Sequence, residues 1–320
     1  MATSITVLSW NVQILGDTKV NQTLVANLIA RVIALYKPDI VTIQELVFSA
    51  AEGVYKLLVT ALQEQWTGTW TGTAIQALPG GSDRDGYLFL WRNTVAQQWL
   101  DKKPVQGVFS GDWPNNISVK NGRRPGYCGF TLADGSHPFI VASYHAPTFA
   151  TASIGSGPAT GLNALATQAN QLLKYPDGSG TAYEARFFCA DFNMSVTDAS
   201  GAAWFTKAMT ATSTENATTG NTIMVPIASA QNSSNSATYY TENLDNVLAG
   251  PTGRMTAVTV IDTINLLQKD SVCKLIAESV LTTNKAGYSW GKGDTFTAFK
   301  TARDYLSDHV PLLVQFTLVP

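Results

Sequence analysis

Residues 5–45 contain two strand-like runs separated by a helical stretch. The first run is ITVLSW (Ile5–Trp10), the helical stretch is LVANLIARVI (Leu24–Ile33), and the second run is DIVTIQ (Asp39–Gln44). Both runs are short, apolar and rich in β-branched residues, as buried strands are. The apolar residues of the middle stretch recur at the spacing of one helix face, and Pro38 lies just beyond its end. This order of elements indicates an α/β or α+β protein.

The same alternation of strands and helices continues along the chain. Further strand-like runs are Tyr87–Trp91, Phe139–Tyr144, Arg186–Ala190 and Leu312–Leu318. The segments Val54–Gln65 and Gly161–Lys174 have the period of helices. Residues 210–240 are dominated by Thr, Ser, Asn and Ala, so we expect a long loop insertion there rather than a linker between domains.

Composition excludes several classes of protein. The chain has 320 residues, of which 45% are hydrophobic and 14% are charged, and this combination excludes a mainly disordered protein. No apolar run approaches the ~18 residues of a membrane-spanning helix, so we expect a soluble protein without stable membrane insertion. The first residues, MATSITVLSW, are typical of a first strand rather than of a signal peptide, and they leave a secreted or a cytoplasmic location open.

Charge excludes a global attraction to nucleic acid. Lys and Arg total 21 and Asp and Glu total 23, so the net charge is −2, and any contact with a polyanion must come from a local patch. Residues 101–124 are the best candidate, because basic residues outnumber acids there. A solvated loop is an equally good interpretation of that segment.

Polar side chains stand at or just beside the predicted strands, and Asp245 lies within the run NLDNVL (Asn243–Leu248). These residues are Asn11, Glu45, His145, Asp191, Asn193, Asp245, Asp308 and His309. Acids and imidazoles at the ends of buried strands need partners, because an unpaired buried charge is costly. If the strand ends converge, they form a cluster of four acids, two amides and two histidines.

Such a cluster suits metal-dependent chemistry on a phosphate ester. Carboxylate and amide oxygens are the ligands that Mg²⁺ or Mn²⁺ prefers, and the three cysteines are too far apart in sequence for a thiolate site. Histidines paired with carboxylates supply an acid and a base near neutral pH. A single Asn or Asp beside a strand is usually a turn former, but turn statistics hardly produce six such sites in order.

The ordered motifs resemble those of the endonuclease/exonuclease/phosphatase superfamily. They are SWNV (Ser9–Val12), IQE (Ile43–Glu45), YHAP (Tyr144–Pro147), ADFN (Ala190–Asn193), LDNV (Leu244–Val247) and SDHVP (Ser307–Pro311). The resemblance implies a single domain over residues 1–320, built as a four-layer sandwich of two packed mixed β-sheets flanked by helices. It also implies a metal site formed by Glu45, Asp308 and Asn11. Asp191 and Asn193 would complete the metal and phosphate site.

Within that superfamily the chain is most similar to deoxyribonuclease I and to the nuclease subunit of cytolethal distending toxins. Those enzymes carry a histidine in the segment of His145. The segment RDGYLFL (Arg84–Leu90) resembles the one that holds the acid partner of that histidine, although Asp85 stands where Glu is usual. Arg123 and Arg124, which precede Pro125, resemble residues that grip the nucleic-acid backbone.

These features predict a monomeric, Mg²⁺-dependent or Mn²⁺-dependent endonuclease with DNA as its partner. We expect His309, oriented by Asp245, to act as general base and His145, oriented by Asp85, to act as general acid, although the sequence permits the exchange of roles. One alternative is a phospholipid phosphodiesterase of the sphingomyelinase type, which Trp66, Trp70 and Trp113 leave open because they lie in polar stretches. The other is an inactive binding scaffold, although no expected acid or histidine is missing.

Overall fold

The structure is a computed structural model of the chain. It describes residues 3–16, 19, 23–66, 68–77, 85–100, 106–108, 124–146, 185–195, 215–216, 220–226, 229–230, 233–251, 253–284 and 295–318.

The described residues form strands that pair into two sheets. In chain order the strands are β1 (Thr3–Leu15), β2 (Ile40–Leu46), β3 (Trp70–Gln76), β4 (Gly86–Arg92), β5 (Ala96–Gln98), β6 (Gln106–Val108), β7 (Gly126–Leu132), β8 (Phe139–His145), β9 (Ala185–Asp191), β10 (Glu215–Asn216), β11 (Asp245–Pro251), β12 (Gly253–Val260) and β13 (Leu312–Leu318). The first sheet has the order β12-β13-β1-β2-β4-β3. The second has the order β10-β11-β9-β8-β7-β5, and β6 also pairs with β7.

Helices cover the outer face of the first sheet. They are α1 (Thr23–Tyr36), α2 (Ala51–Gln65), α3 (Thr263–Lys269), α4 (Ser271–Asn284) and α5 (Thr295–Thr301), followed by a π-helical turn at Ala302–Leu306. The buried face of α1, including Leu28 and Val32, belongs to one apolar cluster with Leu8 and Ile43 of the sheet. No helix in the described part of the chain is both long and apolar enough to cross a membrane.

A second apolar cluster lies between the two sheets. Successive residues of a strand point to opposite faces, so Val7 of β1 faces this inner cluster while Leu8 faces the helices. From the opposite sheet come residues such as Phe130 and Phe187. The rings of Phe187 and Phe316 stack across the sandwich with centroids 3.8 Å apart. This contact fixes the two sheets against each other.

Strand directions bring many ends to one edge of the sandwich. In the first sheet β1 runs parallel to β2, and in the second β8 runs parallel to β9. The outer neighbours β4, β7, β11 and β13 are antiparallel to them. The carboxyl ends of the four central strands therefore share an edge with the amino ends of their antiparallel neighbours.

The predicted sandwich of two mixed sheets is confirmed, and so are the six predicted strands, to within a few residues at each end. The helices expected around Leu24–Ile33 and at Val54–Gln65 lie within α1 and α2, whereas Gly161–Lys174 lies outside the described residues. The segment 210–240 differs from a plain surface loop where it is described. Thr222, Met224 and Tyr239 are buried there, because Ile223 bridges His309 and Met224 bridges Tyr240.

Candidate active site

The polar strand ends converge at the shared edge. Asn11 and Glu45 lie on β1 and β2 of the first sheet, while His145 and Asp191 close β8 and β9 of the second. His145 is the direct cross-strand neighbour of Asp191, and Asp245 is the neighbour of Asp191 on the other side. Both sheets therefore contribute side chains to one buried polar cluster.

Asn11 ties the two sheets together at this cluster. Its side-chain nitrogen donates to Glu45 Oε1 at 2.9 Å and to Asp191 Oδ2 at 3.0 Å. Its side-chain oxygen accepts the Gln13 N–H at 3.1 Å. In this arrangement Asn11 orients both acids through its side-chain nitrogen.

His309 is held by two acids and by its backbone. Its Nδ1 donates to Asp245 Oδ2 at 2.8 Å, and its Nε2 lies 3.6 Å from Asp191 Oδ2. Trp10 Nε1 donates to the His309 carbonyl at 3.1 Å. Thr222 Oγ1 accepts the Asp245 N–H at 3.1 Å, so a threonine beneath the pair fixes the acid.

The same two acids change the proton affinity of His309. Burial opposes protonation of the ring, but the charges of Asp245 and Asp191 and the hydrogen bond to Asp245 outweigh burial and raise the pKa of His309 to about 10. His309 is therefore an imidazolium at neutral pH when no other positive charge is present at these acids. A general base needs the neutral ring, so the base role depends on charge compensation at Asp191 and Asp245.

His145 lies among three carboxylates. Its Nε2 is 3.6 Å from both Glu45 Oε1 and Asp191 Oδ2, and its Nδ1 is 3.8 Å from Asp85 Oδ1. Asp85 precedes β4, and the shorter Asp side chain still brings its oxygen to ion-pair distance. The His145 N–H donates to the Tyr87 hydroxyl at 3.3 Å, which anchors the histidine to the opposite sheet.

Asn193 turns the chain after β9. Its N–H donates to Asp191 Oδ1 at 2.8 Å, and its side-chain nitrogen donates to the Ala146 carbonyl at 2.6 Å. Asn193 therefore orients Asp191 and links the ends of β8 and β9.

Asp308 lies beside a cation that the sequence analysis did not identify. Arg303 Nη2 is 3.6 Å from Asp308 Oδ2, and Arg303 Nη1 donates to the Met224 carbonyl at 2.6 Å. Asp308 is close enough to His309 to contribute to the raised pKa of that residue. No sequence motif marks Arg303, because it reaches Asp308 from the π-helical turn before β13.

Lys19 is a second cation that the sequence analysis missed. Its Nζ donates to the carbonyls of Val12 at 3.1 Å and Gln13 at 2.9 Å. Burial lowers the pKa of Lys19 to about 8, and the nearby charges of Asp308 and Glu45 act in the opposite direction. A lone lysine after a strand carries no signal in one sequence, so only its contacts identify it.

Backbone strain collects at this edge. Of the six non-glycine residues with positive φ in the described part of the chain, four lie in or beside the cluster: Gln13 (22°), Ile14 (54°), Glu45 (60°) and Asn193 (49°). L residues rarely adopt such angles, and a β-branched residue such as Ile14 does so least readily. Strained residues of this kind persist where surrounding contacts hold them, and they concentrate at functional sites.

The predicted phosphate-gripping arginines lie at the border of the described residues. Arg124 precedes β7, its N–H donates to the Ala77 carbonyl at 3.2 Å, and its carbonyl accepts the Tyr87 hydroxyl at 3.0 Å. The Tyr87 hydroxyl also accepts the backbone N–H of His145. One side chain, that of Tyr87, therefore connects the backbones of Arg124 and His145. Arg123 lies outside the described residues.

The donor set fits a divalent cation. Burial raises the pKa of Asp191 to about 7, and the charge of Asp245 adds to this rise, while His309, Asn193 and Asn11 oppose it. The buried Asp191 carboxylate is therefore costly to ionise in the absence of a further positive charge. Ligand atoms of Asp191, Asp245 and His309 lie within 4.8 Å of one another. This group adjoins the predicted set of Glu45, Asp308 and Asn11.

A model of the endonuclease/exonuclease/phosphatase family matches residues 8–309, which include every residue of the cluster. The chain is similar in structure to an endonuclease/exonuclease/phosphatase family protein from Bacteroides thetaiotaomicron, with 14% identity, a TM-score of 0.61 and coverage of 100% of this chain and 96% of that one.

A mannosyl-6-phosphatase from the same organism has 13% identity and a TM-score of 0.57, with 98% and 99% of the two chains covered. TDP2 from D. rerio, complexed with a single-strand DNA product, has 14% identity and a TM-score of 0.53, again with 98% and 99% covered. At these identities the neighbours establish the fold alone. No curated protein matches the sequence.

Proposed function

Because the chain belongs to the endonuclease/exonuclease/phosphatase family, we propose that it is a divalent-metal-dependent phosphodiesterase, specifically an endonuclease that hydrolyses DNA phosphodiester bonds. Members of the family are typically hydrolytic enzymes, and they include nucleases, phosphatases and phosphodiesterases. The observation that carries the proposal is the buried cluster around Asp191, in which two histidines each lie 3.6 Å from one carboxylate oxygen.

Glu45, Asp308 and Asn11 would hold Mg²⁺ or Mn²⁺, with Asp191 beside them. A bound cation supplies electrostatic stabilisation of the charge that develops on the phosphoryl oxygens. Asn193 keeps Asp191 in place through its N–H. The amide of Asn11 fixes the relative position of the Glu45 and Asp191 carboxylates.

His309 would accept the proton of the attacking water, and His145 would donate a proton to the leaving alkoxide. Asp245 fixes the His309 ring through Nδ1 and leaves Nε2 directed at Asp191. The neutral ring that a base requires is favoured once positive charge at Asp191 and Asp245 offsets the attraction that raises the pKa of His309. His145 lies within 3.6 to 3.8 Å of the carboxylates of Asp85, Glu45 and Asp191, which can orient its ring.

Two observations favour a nucleic acid over a phospholipid. Trp70 is buried, and Trp66 packs on it edge to face and carries the Arg92 guanidinium 4.5 Å from its ring centre. Neither ring is therefore available to insert into a membrane, and Trp113 lies outside the described residues. The fold is also one that holds DNA in another protein, since TDP2 from D. rerio was solved with a single-strand DNA product.

The test uses supercoiled plasmid, RNA and sphingomyelin in parallel, each with Mg²⁺ and with excess chelator. We expect cleavage of the plasmid that chelator abolishes. Glu45→Gln keeps the shape of the side chain but removes its charge, so it should reduce turnover by at least ~100-fold with an unchanged circular dichroism spectrum.

Glu52→Gln is the matched control, because Glu52 is an exposed acid of α2 that pairs only with Lys56 among the described residues. It should keep full activity. Full hydrolysis in chelator, or by Glu45→Gln, contradicts the metal role, and preferential hydrolysis of sphingomyelin favours the phospholipid alternative.

A further inference from the structure

The turn at Val12–Ile14, an irregular part of β1 where its pairing with β2 shifts register, is strained and is connected to the acids. Gln13 and Ile14 have φ angles of 22° and 54°, and the Ile14 side chain is 46% exposed. Burial therefore does not hold Ile14 in this conformation. Its N–H donates to Glu45 Oε2 at 3.1 Å, and the Gln13 N–H donates to Asn11 Oδ1 at 3.1 Å. The orientation of Glu45 thus depends on a turn that is unfavourable for its own residues.

The Lys19 ammonium holds this turn from the other side. It donates to the carbonyls of Val12 and Gln13 at 3.1 and 2.9 Å, which are the two carbonyls preceding the strained residues. The Lys19 N–H also donates to the Gly16 carbonyl at 3.0 Å, which fixes the backbone of Lys19 beside the end of β1. An ammonium has three donors and no acceptor, and here two of the donors hold the backbone of the turn.

Lys19 is half-buried, which is unfavourable for an ammonium, and its interactions offset that cost. The charged groups that face Lys19 are Glu45 and Asp308, which belong to two different strand ends. Their attraction keeps the ammonium at the turn rather than in solvent. Lys19 therefore links the backbone of β1 with the acids that would bind the metal.

We propose that Lys19 is a positioning residue, which clamps the strained turn so that the Ile14 N–H and the Asn11 amide hold both oxygens of Glu45 in one orientation. This inference rests on the proposed function, since it concerns how Glu45 is presented to a divalent cation. Groups that orient metal ligands typically change metal affinity by about 10- to 100-fold when they are removed.

Lys19→Met removes the donors and the charge while it keeps most of the apolar length. We expect kcat to fall about 10-fold or more with KM within about two-fold, because the substrate itself is not contacted. The Kd of Mn²⁺, measured by calorimetry without substrate, should rise about 10-fold. Lys56→Met, which changes an exposed lysine of α2, should leave kcat, KM and the Mn²⁺ Kd unchanged.

The double variant Lys19→Met/Ile14→Gly tests whether Lys19 acts by holding the turn or only by neutralising the charge of the nearby acids. Glycine adopts a φ near 54° without strain, so the turn should then form without the clamp. We expect the double variant to recover most of the lost Mn²⁺ affinity and kcat. No recovery, or unchanged kcat and Mn²⁺ affinity in Lys19→Met, contradicts the positioning role.

The wild-type protein distinguishes this inference from the function on which it rests. If wild type neither binds Mn²⁺ nor cleaves DNA, the proposed function is wrong. If wild type does both and Lys19→Met behaves identically, only the role of Lys19 is wrong. If Lys19→Met does not fold but the double variant folds and is active, the clamp is supported. Failure of both variants to fold contradicts it, since relief of the strain at Ile14 should then have restored the fold.

Discussion

His309 shows at the scale of one residue how buried charge couples the site to stability. Its pKa is raised from 6.5 to about 10 in the folded protein, because Asp245 and Asp191 outweigh the effect of burial. Between these two values the folded chain retains a proton that the unfolded chain has released. The stability that this proton contributes is thus fully present below pH 6.5 and is lost as the pH rises through about 10. Asp191 acts in the same direction, since its raised pKa also favours the protonated folded form.

We therefore predict that the metal-free protein loses free energy of unfolding as the pH is raised from about 6.5 to about 8, below the range in which Lys19, with its pKa lowered to about 8, acts in the opposite direction. Urea titrations in chelator at several pH values measure this slope. His309→Gln should flatten it, because the variant has no ring to deprotonate. His137→Gln, which removes a histidine outside the site, should keep the wild-type slope. Equal slopes for wild type and His309→Gln would show that His309 has no raised pKa.

Individual residues were predictable where a motif surrounds them and not where contacts alone define them. The positions of Glu45, His145, Asp191 and His309 follow from the strands that end beside them. Arg303 contacts Asp308 from a π-helical turn, and Lys19 contacts the carbonyls of Val12 and Gln13 beside the acids. Neither conformation has a pattern in the sequence, since both depend on contacts between distant segments.

At the scale of elements, the buried side chain of Gln44 connects strands of the two sheets. It lies in β2, one residue before Glu45, and its side-chain nitrogen donates to Ser9 Oγ of β1 at 3.2 Å and to Ser143 Oγ of β8 at 2.8 Å. All three side chains are buried. One amide thus joins neighbouring strands of the first sheet to a strand of the second, directly beneath the acids.

Gln44→Leu should lower the free energy of unfolding by about 1–3 kcal/mol, since two buried hydroxyls lose their donor. Urea unfolding of the chelated protein measures this change. Gln315→Leu is the matched control, because Gln315 is exposed on β13 and donates to Ser4 at 2.8 Å. Its effect should stay within about 0.5 kcal/mol. If Gln44→Leu also lowered the free energy of unfolding by no more than about 0.5 kcal/mol, the hydrogen bonds from Gln44 to Ser9 and Ser143 would make no measurable contribution to stability.

Long strands were predictable at this scale, whereas short ones were not. Leu312–Leu318 was predicted with its observed bounds, because its apolar run is long enough to show a pattern. β5 and β6 have three residues each, which is too few for alternation to be recognised. They are strands because β7 offers them a partner, and this partner is set by the fold.

At the scale of the whole molecule, a net charge of −2 leaves no general attraction to DNA. Binding must then depend on a few phosphate contacts, for which Arg123 and Arg124 are the candidates. We predict that replacing both Arg123 and Arg124 by Ala weakens DNA binding across all sequences. It should also reduce the slope of log Kd against log salt concentration by about 1–2.

Fluorescence anisotropy with a labelled duplex at several salt concentrations measures both quantities. Arg31→Ala is a suitable comparison, because Arg31 pairs with Asp270 between α1 and α4 on the far side of the first sheet. It should leave the affinity and the salt slope unchanged. If the DNA affinity and the salt slope are unchanged when both arginines are replaced, residues 101–124 are better interpreted as a solvated loop.

The stacked rings of Phe187 and Phe316 have a consequence for the reacting groups above them. One sheet contributes Glu45 and the other contributes His145 and Asp191, so the site exists only while the sheets keep one register. If one sheet slipped by one residue along its strands, it would move by about 3.3 Å. This distance is about the length of a hydrogen bond, so Asn11 would lose its contact with Asp191. The relative position of the reacting groups is therefore set by core side chains that lie between the sheets and away from the site.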